Sequence, residues 1–352
     1  MRTIQKHVSA FIKLGQFLSQ FSRNNIKKST TVEFNELFFE GFKLQLKISE
    51  ENNSWYTKEN LLFSIENWAN ALTESNLKEW TSTIQETNNP KKVAIIMAGN
   101  IPLVGFHDFL SVLVSGHAVL VKQSSNDKHL LPYLAKYLEY VEPDLKGSIL
   151  FTEDKLTNFD AVIATGSNNT ARYFEHYFKE KPNIIRKNRN SVAVITGNET
   201  EDELINLSND IFQYFGLGCR SVSKIFVPKN YQFDAFFGGM YNKKHFINNA
   251  KYANNYDYNK AVYLMSEFDI LENGFLMIKE DLSYSSPIAT VFYEYYEDLK
   301  TLKLKLDLES ESIQCVVGNG FSENEIKYGQ TQYPQLWDYA DNINTLEFLA
   351  KI

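Results

Sequence analysis

After the breaker cluster Asn88-Asn89-Pro90 the chain alternates short apolar runs with helical segments, and this alternation narrows the fold more than any other feature. Val93-Ala94-Ile95-Ile96-Met97 is a continuous apolar run of the kind that suits a strand buried on both faces. Gly99-Asn100-Ile101-Pro102 turns the chain, 104–114 reads as a helix ended by Ser115-Gly116, and Ala118-Val119-Leu120-Val121 is the next strand. Further helices are expected over 128–141, 169–179 and 201–215, and strands over 148–151, 161–164, 192–195, 224–227, 288–293 and 312–317. Repeated β-then-α units require parallel strands with right-handed crossovers. The expected fold class is therefore α/β, with a doubly wound parallel sheet whose ligands sit at the C-terminal strand ends.

Composition removes several alternatives. A net charge of −7 gives no overall basic field for nucleic acid. No run of 18 apolar residues occurs, so no transmembrane helix is expected. Two scattered cysteines, Cys219 and Cys315, do not make a disulfide framework and suit a reduced, cytoplasmic protein. The six histidines lack paired ligand spacing, so no metal site is expected, and His107, His117, His129, His176 and His245 read as structural or surface residues. Residues 1–32 carry Arg2, Lys6, Lys13, Arg23, Lys27 and Lys28 and no acid, with Ile4, Val8, Phe11, Leu14, Phe17, Leu18 and Phe21 at near-helical spacing. A docked amphipathic helix is the favoured reading, with a transit segment or membrane-surface helix as the alternative.

Four short constellations carry chemistry. In Phe215-Gly216-Leu217-Gly218-Cys219-Arg220 a helix ends, two glycines allow unusual dihedrals or close backbone approach, and a thiol follows. Arg220 could stabilise the thiolate, which is the reactive form; a buried structural cysteine beside a turn is the competing reading. Gly166-Ser167 stands between a strand and a helix, where free N–H groups suit a phosphate and where Ser167 could equally be only an N-cap. Asn100 could donate its amide to an oxyanion or serve as an ordinary turn residue. Lys122 ends its strand and could meet a cofactor or be solvated.

Taken in chain order, these places resemble the aldehyde dehydrogenase superfamily, and within it the long-chain acyl-CoA reductases, the fatty-acid reductase type of bacterial bioluminescence. Asn100-Ile101-Pro102 resembles the superfamily's Asn-Phe-Pro-like turn. Gly116 to Ser125 resembles its Gly-Asn-x-Val-x-x-Lys-Pro-Ser-Glu strand, Thr165-Gly166-Ser167 its Thr-Gly-Ser turn, and Gly216-Leu217-Gly218-Cys219 its Gly-Gln-x-Cys. The narrower likeness extends to Ser286-Pro287-Ile288 and Leu336-Trp337-Asp338-Tyr339-Ala340-Asp341, so that the resemblance covers roughly 90–352. It implies Cys219 as nucleophile and Asn100 as the side-chain half of an oxyanion hole. It implies Lys122 and Ser125 at the adenosine ribose, and Gly166 and Ser167 at the pyrophosphate. The implied organisation is a helical segment over 1–89 packing on a nicotinamide-cofactor domain over 90–215, a catalytic thiol domain over 216–320, and a C-terminal segment over 321–352. A fatty acyl-CoA is the implied partner, with an acyl-transfer protein as a second one, and a homo-oligomer is implied by the superfamily's habit.

Two departures refine the expectation. Hydrolytic relatives carry a Glu-Leu-Gly-Gly-Lys strand whose glutamate activates water, whereas Lys187-Asn188-Arg189-Asn190-Ser191 has no carboxylate. Base assistance is worth about 10²–10⁴-fold, so a thioester here should outlast hydrolysis until it is reduced. Ser125 stands where many relatives have a glutamate that repels a 2′-phosphate, which favours NADP over NAD. The expected activity is NADPH-dependent reduction of an acyl-CoA to the aldehyde; reduction of an acyl phosphate and a silent acyl-transfer scaffold are the alternatives.

Overall fold

The computed structural model of the chain describes residues 3–84 and 87–352; Arg2 of the basic N-terminal run lies outside them. The chain forms two compact units, Met1–Lys187 with Gln335–Ile352, and Asn188–Pro334.

The first unit opens with four helices, α1 (Thr3–Leu18), α2 (Asn35–Asn52), α3 (Lys58–Ala71) and α4 (Glu74–Trp80). Thr57 and Thr73 cap α3 and α4 by accepting the Asn60 and Asn76 N–H groups. The apolar stripe of α1 is spent inside the protein: Phe11, Leu14, Phe17 and Leu18 are wholly buried, as is Phe21 just beyond the helix. Its cations meet acids in ion pairs, Lys6 with Asp144, Lys13 with Glu33, and, just beyond the helix, Arg23 with Glu66 and Lys28 with Glu36.

The alternating region follows as β1 (Lys92–Ile96), α5 (Phe106–Val114), β2 (Ala118–Lys122), α6 (Leu130–Val141), β3 (Ile149–Phe151), β4 (Ala161–Thr165), α7 (Asn168–Phe178) and β5 (Asn183–Arg186). The five strands make one parallel sheet in the order β3-β2-β1-β4-β5. The central strand β1 is apolar throughout its middle because it is covered on both faces, with Val93, Ala94 and Ile95 buried.

The second unit holds β6 (Asn190–Val194), α8 (Glu201–Phe212), β7 (Val222–Pro228), α9 (Asp234–Met240), α10 (Ala250–Met265), β8 (Ile270–Glu272), β9 (Met277–Glu280), β10 (Thr290–Tyr296), α11 (Leu299–Leu308) and β11 (Ile313–Val317). Its sheet runs β11-β6-β7-β10-β9-β8 and is parallel except for the edge strand β8. Helix α8 starts at a capping box in which Thr200 and Glu203 satisfy each other's backbone N–H groups. The last stretch belongs again to the first unit, where α12 (Thr345–Ala350) packs against α5.

The division differs from the expected boundary between 215 and 216. Strand β6 pairs with β7 and β11, so β6 and α8 belong with the thiol, and the chain changes unit between Lys187 and Asn188. Among the described residues, no helix is long and apolar enough to cross a membrane.

Candidate functional site

Five of the six expected site residues lie along one edge of the five-stranded sheet. From β1 the chain winds outward through β2 and β3, then returns to place β4 and β5 on the other side of β1. The winding therefore reverses between β1 and β4, the switch point outside whose carboxyl strand ends sheets of this kind bind ligands. Asn100 stands on the turn after β1, Gly166 and Ser167 follow β4, Lys122 ends β2, and Ser125 comes three residues later. Asn100, Ser125 and Ser167 are exposed there.

The local chemistry of that edge fits a dinucleotide. Ser167 caps α7, its Oγ accepting the Thr170 N–H at 3.3 Å. A Cβ on Gly166 would stand 3.0 Å from the Thr170 Cβ and 3.1 Å from the Phe174 ring, so glycine lets the helix start close against the strand end. The positive end of this 11-residue helix thus lies at the carboxyl end of β4 with no side chain at Gly166. Lys122 adds a cation whose Nζ donates to the Asp154 carbonyl at 2.9 Å.

The Asn100 turn is clamped from three sides. A Cβ on Gly99 would lie 2.5 Å from the Ser124 Oγ, so this turn touches the loop that leaves β2. Leu103 holds a left-handed φ of 58° and donates its N–H to Asp127 Oδ2 at 2.9 Å. Ser64 donates its hydroxyl to the Pro102 carbonyl at 3.0 Å. Burial pushes the Asp127 carboxyl up to about 6. Sequence reading missed Asp127, because an aspartate in a polar loop gives no sign that the loop is buried.

Cys219 lies in the other unit, on the loop between α8 and β7, at the N-terminal end of its strand rather than the C-terminal end. It is exposed, Cys315 is buried in β11, and both are thiols outside any disulfide. The expected helix over 201–215 ends at Phe212. Tyr214 and Phe215 then take φ of 55° and 58°, and Gly216 takes 75°. Left-handed dihedrals on two aromatic residues are strained and persist only where packing over-determines them. Phe215 stands 5.1 Å from the Phe246 ring and 5.9 Å from the Tyr252 ring, which supplies that packing.

Side chains fix the thiol loop on either side of the sulfur. Ser191, wholly buried on β6, donates to the Cys219 carbonyl at 3.0 Å. Arg220, expected to face the thiolate, donates its Nε to the Thr331 carbonyl. Gln332 donates to the Ser221 hydroxyl at 3.3 Å. Beneath them the buried Asp210 accepts the Gly329 N–H and both the N–H and hydroxyl of Thr331. Burial raises Asp210 to about 6 against the pull of these donors and of the Arg220 charge.

Beside this loop is a cavity of about 380 Å³, a size at the lower end of small-molecule sites. Gly216, Leu217, Gly218 and Ser221 of the thiol loop line it, as do Phe212, Tyr252, Leu276 and the Ser285 to Thr290 stretch. Asn188, Arg189 and Asn190 of the segment expected to lack a base also line it. Among the described residues that form its wall there is no Asp or Glu. Lys187, the first residue of that segment, pairs with Glu175 at 2.7 Å in the first unit.

The acyl-CoA reductase (LuxC) family model matches residues 17–236, a span that contains all six of these residues. The chain belongs to this family of acyl-CoA reductases. It is an oxidoreductase, and its fold is that of the aldehyde dehydrogenases. An NAD+ complex of aldehyde dehydrogenase from Bacillus cereus is 14% identical, with a TM-score of 0.61 over 90% of this chain and 72% of that one. Aldehyde dehydrogenase 21 from Physcomitrella patens, in complex with succinate, is 12% identical, with a TM-score of 0.64 over 90% of this chain and 73% of that one. An NAD-dependent aldehyde dehydrogenase from Sinorhizobium meliloti is 13% identical, with a TM-score of 0.62 over 94% and 72%. No curated protein matches the chain. The family match reaches back into α1, which the resemblance over 90–352 did not include, and stops before the Leu336 to Asp341 motif.

Proposed function

We propose that this reductase converts a fatty acyl-CoA to the aldehyde through a thioester on Cys219, with NADPH as the reductant. The observation that carries the reading is the Cys219 loop: an exposed thiol after three left-handed residues, tethered through its own carbonyl and its neighbours, beside a cavity. Such tethering suits a nucleophile that must meet a carbonyl in a narrow range of geometry.

The chemistry assigned to the chain runs as follows. The Cys219 thiolate attacks the thioester carbonyl, and the new C–S bond leaves the carbonyl oxygen as an oxyanion. The Asn100 amide and the Cys219 N–H stabilise that oxyanion. The tetrahedral adduct collapses, the CoA thiolate leaves and takes up a proton, and an acyl group stays on Cys219. Lys122, Ser125, Gly166 and Ser167 would hold the ribose and pyrophosphate of the reduced dinucleotide, which when bound would supply a hydride to the acyl carbonyl carbon. Cys219 then leaves the resulting thiohemiacetal as thiolate, releasing the aldehyde. The lack of a carboxylate from Lys187 to Ser191 and along the described cavity wall supports survival of the thioester against water.

Ser125 and Lys122 support NADPH over NADH, since the serine removes a negative charge from the ribose end and the lysine leaves a positive one. The variant Ser125→Glu should raise KM for NADPH at least about tenfold, the effect of roughly 1.4 kcal/mol of added repulsion, and leave NADH little changed. Unchanged NADPH kinetics would remove Ser125 from the ribose site.

The central test pairs two measurements on the full chain. Absorbance loss of NADPH with a series of acyl-CoAs should accompany aldehyde formation. Labelled acyl-CoA without nucleotide should leave a hydroxylamine-sensitive adduct on the wild type and none on Cys219→Ala. Silence with every chain length defeats the reductase reading, and equal labelling of Cys219→Ala defeats the nucleophile assignment.

A further inference from the structure

We propose that Asp127 is a positioning residue for acylation: by accepting the Leu103 N–H it locks the Asn100 turn to the loop that carries Ser125, so that the oxyanion donor and the ribose-side loop form one rigid body. The inference rests on the role given to Asn100 above.

The two loops leave neighbouring parallel strands, β1 and β2, and meet at their C-terminal ends. The Ser125 loop is braced by itself. Asp127 N–H donates to the Ser124 carbonyl at 3.1 Å, Asn126 N–H to the Ser124 hydroxyl at 3.3 Å, and the Gln123 amide to the Asp127 carbonyl at 2.8 Å. The Asn100 turn is braced from outside as well, by the Ser64 hydroxyl on the Pro102 carbonyl at 3.0 Å. It needs a left-handed Leu103, a conformation that a leucine adopts only when something outside holds it. That hold comes from across the gap, as the 2.9 Å bond to Asp127 Oδ2. Gly99 against Ser124 makes the same junction tight enough that any Cβ at Gly99 would push the loops apart. A shift at Asp127 is therefore passed to the Asn100 turn, where a displacement of about 1 Å can cost a reaction roughly 10²-fold.

An asparagine could accept one N–H here at lower cost, so the acid calls for a reason. A charged acceptor makes the stronger bond, and the carboxylate form is the one that grips Leu103 firmly. Burial raises the carboxyl to about 6, the Leu103 N–H and the Tyr56 hydroxyl oppose that rise, and no charged side chain contributes to it. The adjoining ionisable residues are engaged elsewhere, Lys128 with Glu153 and His129 with Asn52. Above about pH 6 the grip is that of a carboxylate, and below it that of a neutral acid, which asparagine copies.

The test is single-turnover release of CoA from a long-chain acyl-CoA by the full chain without nucleotide, for the wild type, Asp127→Asn, Asn100→Ala and the double variant. At pH 7.5 Asn100→Ala should acylate about 10²-fold more slowly and Asp127→Asn about 10-fold or more. The double variant should be no slower than Asn100→Ala within about twofold, because Asp127 acts only through Asn100. The ratio of wild type to Asp127→Asn should shrink towards about threefold as pH falls to 5.5. Wild-type rates for Asp127→Asn, additive losses in the double variant, or a ratio flat with pH each overturn the proposal while leaving the reductase reading intact. Wild-type rates for Asn100→Ala overturn the proposal together with the oxyanion assignment. Should Asp127→Asn not fold, Ser64→Ala probes the same turn by removing one hydroxyl. It should slow acylation several-fold in the wild type and not at all in Asn100→Ala; any slowing in Asn100→Ala overturns the proposal.

Discussion

At the scale of single residues, the costly groups cluster where the loops must be held. Asp210 is 1% exposed, yet it carries a carboxylate that ties Gly329 and Thr331 beneath the Cys219 loop. Its folded-state pKa of about 6 lies above the ordinary 3.8, so the folded protein binds a proton that the unfolded chain has already lost. The stability this contributes is complete below about pH 4 and disappears as pH rises through about 6. Relative to Asp210→Asn, the wild type should therefore lose up to about 3 kcal/mol between pH 4 and pH 7, at 1.36 kcal/mol per pKa unit. Urea midpoints of both proteins over that range measure the difference directly. Parallel curves would mean that Asp210 titrates as an ordinary surface acid. None of this was legible in the sequence, because Asp210 sits at a position whose neighbours Asn209 and Ile211 say nothing of what folds over it. The turns that carry the proposed site residues were legible for a different reason: backbone-governed turns such as Gly99-Asn100 and Gly216 to Cys219 leave a local residue signature.

At the scale of elements, strands that are continuous apolar runs announced themselves, and short or weakly apolar ones such as β5, β8 and β9 did not. β1, β2 and β4 are unbroken apolar runs, and the structure puts all three inside the sheet. β5 (Asn183–Arg186) begins just after Pro182 with only Ile184 and Ile185 as apolar residues, and β8 is three residues long. Both are edge strands, which need no apolar run because one side has no neighbour. Helix α8 was expected to reach 215; the left-handed backbone of Tyr214 and Phe215 answers to tertiary packing. Helix α1 is the reverse case, where the apolar period was plain but its destination was not. Phe17 packs at 4.5 Å on Tyr137 and at 5.4 and 5.5 Å on Phe21 and Phe42, all within the first unit. Phe17→Ala should cost about 3–5 kcal/mol of unfolding free energy in urea. Flotation with anionic vesicles should leave the wild type unbound, because the face that would enter a membrane is already buried. Vesicle binding that Phe17→Ala abolishes would restore the membrane-surface reading.

At the scale of the whole molecule, the chain leaves the first unit after Lys187 and comes back to it at Gln335. Nothing in the local pattern of 335–352 reports this return; it is written in partners far away in sequence. Arg186, at the end of β5, forks onto Asp108 of α5 at 2.6 and 3.3 Å, and also donates to the Ala340 carbonyl and the Thr345 hydroxyl of the returning segment. Tyr339 accepts from the Trp80 indole, while His107 and His117 meet the Leu336 and Leu349 carbonyls. Burial lowers the affinity of both histidines for a proton, so they serve here as neutral hydrogen-bonding groups. The guanidinium is 6% exposed and its partner carboxylate 9%, so removing one charge strands the other in a place that cannot solvate it. Arg186→Leu should therefore lose about 3–5 kcal/mol, and Arg186→Leu with Asp108→Leu should recover most of it, since the pair offsets its own desolvation and little more. A chain ending at Pro334 keeps Asp108 but loses the Ala340 and Thr345 acceptors and uncovers the sockets of Leu336, Leu346 and Leu349. It should unfold at lower urea than the full chain when followed by tryptophan emission, which Trp80 reports from beneath the segment. A truncated chain as stable as the full one, or a double variant no better than Arg186→Leu, would show that the returning segment and its buried ion pair decorate the first unit rather than complete it.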